Sequence, residues 1–153
     1  MSKEISFRWF CVFVCFYAIV SLIVYLTTSF LSSVAGIVAI FVLLPFYGVF
    51  VIWLLATTIK KRNAKVRYYK AFIPLILILQ AAKILSSPAS CYGWSQGNSC
   101  YSLLQLLLDP ANLKTLANTP PHWLTIESIF PVALILYMIS IVSFLLTIRV
   151  QEV

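Results

Sequence analysis

Long apolar runs without a single charged side chain dominate the chain. The first run extends from Trp9 to about Phe30, and the second extends from Val34 to Thr58. Each is at least as long as the roughly 20 residues that an α-helix needs to cross the hydrocarbon core of a bilayer. Hydrophobic residues make up 62% of the 153 residues, well above the roughly 45–50% of soluble domains. The sequence therefore predicts an integral membrane protein and excludes a soluble domain built around one core.

Four such segments predict a single all-α membrane domain that occupies residues 1–153. The transmembrane helices cover about residues 9–30, 34–58, 68–87 and 128–148. The third is the weakest, because Lys83 interrupts its apolar stretch. It crosses the bilayer only if Lys83 extends to the outer headgroups, and a buried or re-entrant helix is the alternative. Within the second helix, Pro45 removes a backbone donor and predicts a kink.

Basic residues concentrate on one side of the predicted helices. A cytoplasmic loop at residues 59–70 holds Lys60, Lys61, Arg62, Lys65, Arg67 and Lys70. With Lys3, Arg8 and Arg149 on the same side, the positive-inside rule predicts that both termini are cytoplasmic. Anionic headgroups on this face are predicted to contact Lys60, Lys61, Arg62, Lys65 and Arg67. No nucleic-acid partner is predicted, because Tyr68 and Tyr69 fit interfacial anchors better than stacking platforms.

The loop at residues 88–127 is predicted to be extracytoplasmic and to contain a disulfide between Cys91 and Cys100. An oxidising compartment closes paired cysteines, and Gly93 and Gly97 allow the chain to turn between them. Chain entropy gives such a loop roughly 2.5–3 kcal/mol of stabilisation. The predicted role of the pair is structural.

A redox role for the two cysteines is the alternative. Four helices with outer cysteines resemble the architecture of the quinone-linked thiol oxidases and of the vitamin K epoxide reductase family. Those families place a Cys-x-x-Cys pair beside the quinone, and this sequence contains no such pair. On the first helix, Cys11 and Cys15 lie one turn apart and are interpreted as small apolar residues. No metal site is predicted, because the single histidine, His122, lies at the opposite surface.

Polar residues within the spans are the remaining candidates for a site. Gln80 and Lys83 share a helical face and form a candidate intramembrane polar contact, in which Asp109 or Glu127 could pair with Lys83. The hydroxyl groups of Ser21, Tyr47, Tyr137, Ser140 and Ser143 either line a neutral path or join the helices by hydrogen bonds. The sequence contains no nucleophile elbow, zinc-protease motif or phosphate loop. We therefore predict no catalytic residue and no cofactor.

We predict a non-catalytic accessory or assembly subunit with a protein partner inside the membrane, because this function requires no catalytic or transport residue. One alternative is a membrane protein of the bacteriocin-immunity type, which this chain resembles in size, topology and basic cytoplasmic loop. A thiol-redox enzyme or a small carrier is the other alternative. A plasma or inner membrane is the expected location, and a thylakoid or other organelle membrane is the alternative.

Overall fold

The computed structural model describes residues 2–28, 33–60, 64–90, 101–108 and 124–151. Its helices are α1 Phe7–Thr28, α2 Ser33–Val38, α3 Leu44–Lys60, α4 Phe72–Ser86, α5 Leu103–Leu108 and α6 Leu124–Thr147. Its strands are β1 Ser2–Ser6, β2 Lys65–Tyr69, β3 Pro88–Ser90, β4 Tyr101–Ser102 and β5 Arg149–Gln151. The described chain is therefore mostly helical, with short strands at the helix ends.

Three helical stretches of the described chain are long and apolar enough to cross a membrane. They are Phe7–Thr28, Gly36–Thr57 and Ile129–Thr147. Their outward faces carry large apolar side chains, among them Trp9 and Phe16 on α1 and Leu146 on α6. An apolar exterior of this kind is compatible with lipid as the surrounding solvent, and the prediction of membrane-length helices is confirmed for these three segments.

A π-helical turn, Ala39–Leu43, joins α2 to α3 in a continuous helical segment. The proline at position 45 has no backbone N–H, so the α-helical bond to Phe41 cannot form. One residue earlier, the N–H of Leu44 donates to the carbonyl of Ala39, which is a five-residue step and widens the turn. The proline is thus accommodated by a local widening of the predicted second helix.

The helix α4 is shorter than the predicted third span. It begins at Phe72, because Tyr68 and Tyr69 belong to β2. Its 15 residues extend about 22 Å at 1.5 Å per residue, against roughly 30 Å of hydrocarbon in a bilayer. It packs chiefly against α6, while α1 packs chiefly against α3. A sparse contact between α1 and α4 leaves a cleft between these two helices.

A three-stranded antiparallel sheet closes one end of the bundle, and the sequence reading missed it. The central strand β2 pairs with β1 on one side and with β5 on the other. It occupies residues 65–69 of the predicted cytoplasmic loop at residues 59–70. Its inner face carries the fully buried Val66, and its outer face carries the exposed Lys65 and Arg67. This alternation has the two-residue period of a half-buried strand.

Several predictions fall on parts of the chain that are not described. Cys91 and Cys100 lie outside the described residues, so their disulfide stays a prediction. Lys61, Arg62 and Asp109 also lie outside them. The strands β3 and β4 lie on either side of residues 91–100 and pair with each other, which places Pro88 beside Ser102.

Candidate functional site

Buried hydroxyl groups meet at about mid-depth in the bundle, and Tyr137 of α6 lies at their centre. Its hydroxyl is 2.5 Å from the hydroxyl of Tyr47, 2.9 Å from that of Tyr17 and 3.3 Å from that of Ser21. A hydroxyl has a single proton to donate, so Tyr137 can donate to only one of these three neighbours. We call Tyr17, Ser21, Tyr47, Gln80 and Tyr137 the tyrosine network.

Proton counting orders the strong bonds of the tyrosine network in one direction. The Tyr17 hydroxyl donates to Oε1 of Gln80 at 2.6 Å, so it must accept from Tyr137. Because the Tyr137 hydroxyl donates its proton to Tyr17, its oxygen accepts a hydrogen bond from Tyr47. The hydroxyl of Tyr47 in turn accepts from Ser21 at 2.8 Å. The chain of donors therefore runs from Ser21 through Tyr47, Tyr137 and Tyr17 to Gln80.

Helical spacing explains why these groups converge. Tyr17, Ser21 and Tyr25 follow one another at intervals of four residues, which places them on one face of α1. That face points into the bundle, whereas the face with Phe16 points outward. Polar side chains inside and apolar side chains outside are the arrangement expected where the surroundings cannot supply hydrogen bonds. Tyr17 and Tyr25 were missed by the sequence reading, although their four-residue distance from Ser21 is a usable signal.

Lys83 lies within the bundle, three residues after Gln80 on α4. Its side chain is 0% exposed, so the expectation that it extends to the outer headgroups is wrong. The ammonium nitrogen lies 4.2 Å from the ring centroid of Tyr137 and 5.3 Å from that of Tyr25. The electron-rich faces of these rings attract the cation, and helix α4 is held inward by the buried side chain.

Two buried polar atoms of the described chain have no hydrogen-bond partner, namely Nζ of Lys83 and the hydroxyl of Tyr25. Buried polar groups are normally hydrogen-bonded, because an unmade bond costs roughly 1–3 kcal/mol. Gln80 and Lys83, the two residues of the predicted intramembrane contact, have different surroundings in the structure. Gln80 completes the tyrosine network, whereas Lys83 is surrounded by aromatic rings.

A cavity of about 440 Å³ lies between the tyrosine network and the sheet. Residues of α1, α3, α4 and α6 line it, and Ile5 and Tyr68 contribute from the sheet. Tyr17 and Tyr47 of the tyrosine network also line it. The volume is within the roughly 300–1,000 Å³ of small-molecule sites, which are likewise mostly apolar with a few polar groups.

Of the residues predicted to contact anionic headgroups, Lys65 and Arg67 lie on the exposed outer face of the sheet. In the strand register, Arg67 is opposite Glu4 on one side and Arg149 on the other. Two arginine positions on adjacent strands concentrate positive charge on this face. Lys60 ends α3.

The cysteines within the described chain lie on α1. Cys11 is buried, with its Sγ 3.9 Å from the carbonyl oxygen of Leu54, and Cys15 is partly buried. No group of three or more His, Cys, Asp or Glu side chains that could hold a metal ion occurs in the part of the chain that the structure describes. Cys11 thus contacts α3 at the boundary between α1 and α3.

Comparison with protein-family models, with curated proteins and with solved structures finds no match to this chain. Its function is therefore inferred from the geometry of the bundle.

Proposed function

We propose that the chain is a non-catalytic accessory subunit of a larger membrane complex. Four helices cross the membrane, with both termini and the basic segment on the cytoplasmic side. The observation that carries the proposal is the short, outwardly apolar helix α4. Its length falls about 8 Å below that of the hydrocarbon core, and oligomerisation is one way in which a membrane accommodates a short span.

The pairing of the sheet supports the four crossings by a parity argument. β1, β2 and β5 are hydrogen-bonded together, so all three lie on the same side of any membrane that the helices cross. Crossings by α1 and by the α2–α3 segment return the chain from β1 to β2. Between β2 and β5, a crossing by α6 requires a second one, and among the described helices of this segment α4 is the one long enough to make it.

Charge supports the cytoplasmic side for this sheet. Lys3, Lys65, Arg67 and Arg149 lie on its strands, and Lys70 follows β2 directly. Lys and Arg near helix ends favour the cytoplasmic side. We infer a plasma or inner membrane as the location.

The partner of this proposal covers the side of α4 that faces away from the rest of the bundle. Leu75 and Ile78 are exposed there, and Ile78 is 66% exposed. Neither residue lines the cavity. A partner helix packed on this face would bury apolar area and would relieve the mismatch between α4 and the bilayer.

Photo-crosslinking tests this interface. A benzoylphenylalanine at position 78 is expected to give one protein adduct of fixed mass in native membranes. The matched control is position 16 on α1, where Phe16 is also 66% exposed, and we expect lipid adducts there. A stable monomer under mild extraction, with lipid adducts alone from position 78, would overturn the accessory role.

Maleimide labelling tests the topology together with the disulfide between Cys91 and Cys100. In a Cys11→Ala/Cys15→Ala background, an impermeant maleimide added to intact cells is expected to label the chain only after reduction. An oxidised pair in an extracytoplasmic loop is protected from the reagent until it is reduced.

Two other labelling results have different meanings. Labelling without reductant would favour the thiol-redox alternative, because accessible thiols would then be present. Protection in intact cells followed by labelling after permeabilisation would contradict a crossing by α4. The immunity alternative makes a separate prediction, which is that expression protects cells from a pore-forming toxin.

A further inference from the structure

The cavity between α1 and α4 is open at its sides to the surroundings of the bundle. Its rim residues Phe13, Ile73 and Leu77 are roughly half exposed, whereas its inner wall includes the buried Phe10 and Ala18. On α1 the lining extends from Phe10 to Ala18, a length of about 12 Å. The space is thus a narrow apolar cleft that runs from the sheet towards the tyrosine network.

Apolar walls of this length suit a flexible hydrocarbon chain. Aliphatic and aromatic side chains form nearly all of the lining. An acyl chain that enters the cleft comes from the bilayer and not from water. It therefore gains only closer packing and no hydrophobic transfer energy. Tight binding from the bilayer therefore requires a second, polar contact at the end of the cleft.

Two lysine positions lie close in sequence or in strand register to lining residues at the sheet end of the cleft. The exposed Lys70 lies between two lining residues, Tyr68 and Ile73, in the connection from β2 to α4. Lys3 is paired with Tyr68 in the register of β1 and β2. Two lysine positions thus flank the end of the cleft that lies at the cytoplasmic boundary in the proposed topology.

We propose that this cleft is a binding site for one anionic phospholipid from the cytoplasmic leaflet. One acyl chain lies between α1 and α4, and the phosphate group lies beside Lys70 and Lys3. The lipid fills the space left by the sparse contact between α1 and α4. The choice of leaflet rests on the topology proposed above, but the site does not rest on the accessory role, since a monomer could hold the same lipid.

Lipid binding by the purified full-length protein tests the headgroup contact. Phosphatidylglycerol and phosphatidylcholine with identical acyl chains are titrated separately, and bound lipid is counted by native mass spectrometry. We expect one phosphatidylglycerol per chain and much weaker binding of phosphatidylcholine. Lys70→Gln and Lys3→Gln are each expected to weaken phosphatidylglycerol binding about fivefold, because a basic residue near a lipid surface contributes about 1 kcal/mol.

Arg8→Gln is the matched control. Arg8 is exposed at the same end of the bundle, but helical geometry places it with Val12 and Phe16, on the face of α1 away from the cleft. We expect less than a twofold change in phosphatidylglycerol binding. Equal weakening by all three substitutions would overturn the site, since it would show attraction by net charge alone. Equal binding of the two lipids would overturn the headgroup contact.

The position of the acyl chain has its own test. Ala18→Phe fills the inner end of the cleft and is expected to abolish stoichiometric binding. Because this substitution could disturb folding, phosphatidylglycerol with a diazirine in its acyl chain is also photolysed on the unaltered protein. Adducts at Phe13 or Ile73 are expected to exceed those at Phe16 severalfold. Uniform labelling of these three positions would overturn the proposal.

Discussion

Tyr137→Phe is expected to lower the free energy of unfolding by about 2 kcal/mol. The substitution removes one hydroxyl and with it the hydrogen bonds to Tyr17 and Tyr47, and the Tyr47 hydroxyl loses its acceptor. Hydrogen bonds between membrane helices contribute about 0.6 kcal/mol each on average. The ring itself stays, so packing and the contact with Lys83 are preserved. Unfolding in mixed micelles with increasing denaturing detergent measures the change.

Tyr25→Phe is the matched control, because the same chemical change removes a buried hydroxyl that has no partner. Its ring stacks on Phe130 with a centroid distance of 6.4 Å, and phenylalanine keeps that contact. We expect stability to rise by about 1 kcal/mol, since an unsatisfied buried hydroxyl is costly. Equal losses in the two variants would contradict the tyrosine network as the source of the effect.

Lys83→Met is expected to raise the free energy of unfolding by about 1–2 kcal/mol. Removing an ammonium from water costs several kcal/mol, and Nζ of Lys83 is buried without a hydrogen-bond partner. A desolvated cation–π contact offsets up to about 2 kcal/mol of that cost, and only the ring of Tyr137 is as close as 4.2 Å. Methionine retains a flexible apolar stem of similar length without the charge.

The control for this prediction is Lys65→Met on the outer face of the sheet. Lys65 is exposed, and surface substitutions usually change stability by less than about 0.5 kcal/mol. A loss of stability in Lys83→Met would show that the ammonium has a strong partner. It would favour the predicted pairing with Asp109 or Glu127, which a double-mutant cycle between the two positions would then measure.

The membrane-length helices could be predicted because they depend on composition alone. A run such as Trp9 to Phe30 is apolar on every side, so no knowledge of its neighbours is needed to recognise it. Pro45 was also informative, since the loss of a backbone donor has a local effect wherever the helix packs. In the structure, the π-helical turn Ala39–Leu43 accommodates this proline.

The sheet was not predicted, because a basic segment between two apolar spans is usually interpreted only as a topology signal. Val66 lies between Lys65 and Arg67, and this alternation is a signal for a strand with one buried face. The partners β1 and β5 lie at the two ends of the chain. Strand pairing over such distances cannot be read from a single short segment, because register depends on the partner.

By itself, the sequence determined that this chain is apolar enough to place long helices in a membrane, and that most of its basic residues lie near the same ends of the apolar segments. These properties follow from side-chain transfer energies and from charge, which act residue by residue. Only the tertiary structure decided that Gln80 joins the tyrosine network, that Lys83 turns inward and that a cleft separates α1 from α4. Those outcomes depend on which helix faces meet, because a hydrogen bond or a cavity belongs to several elements at once.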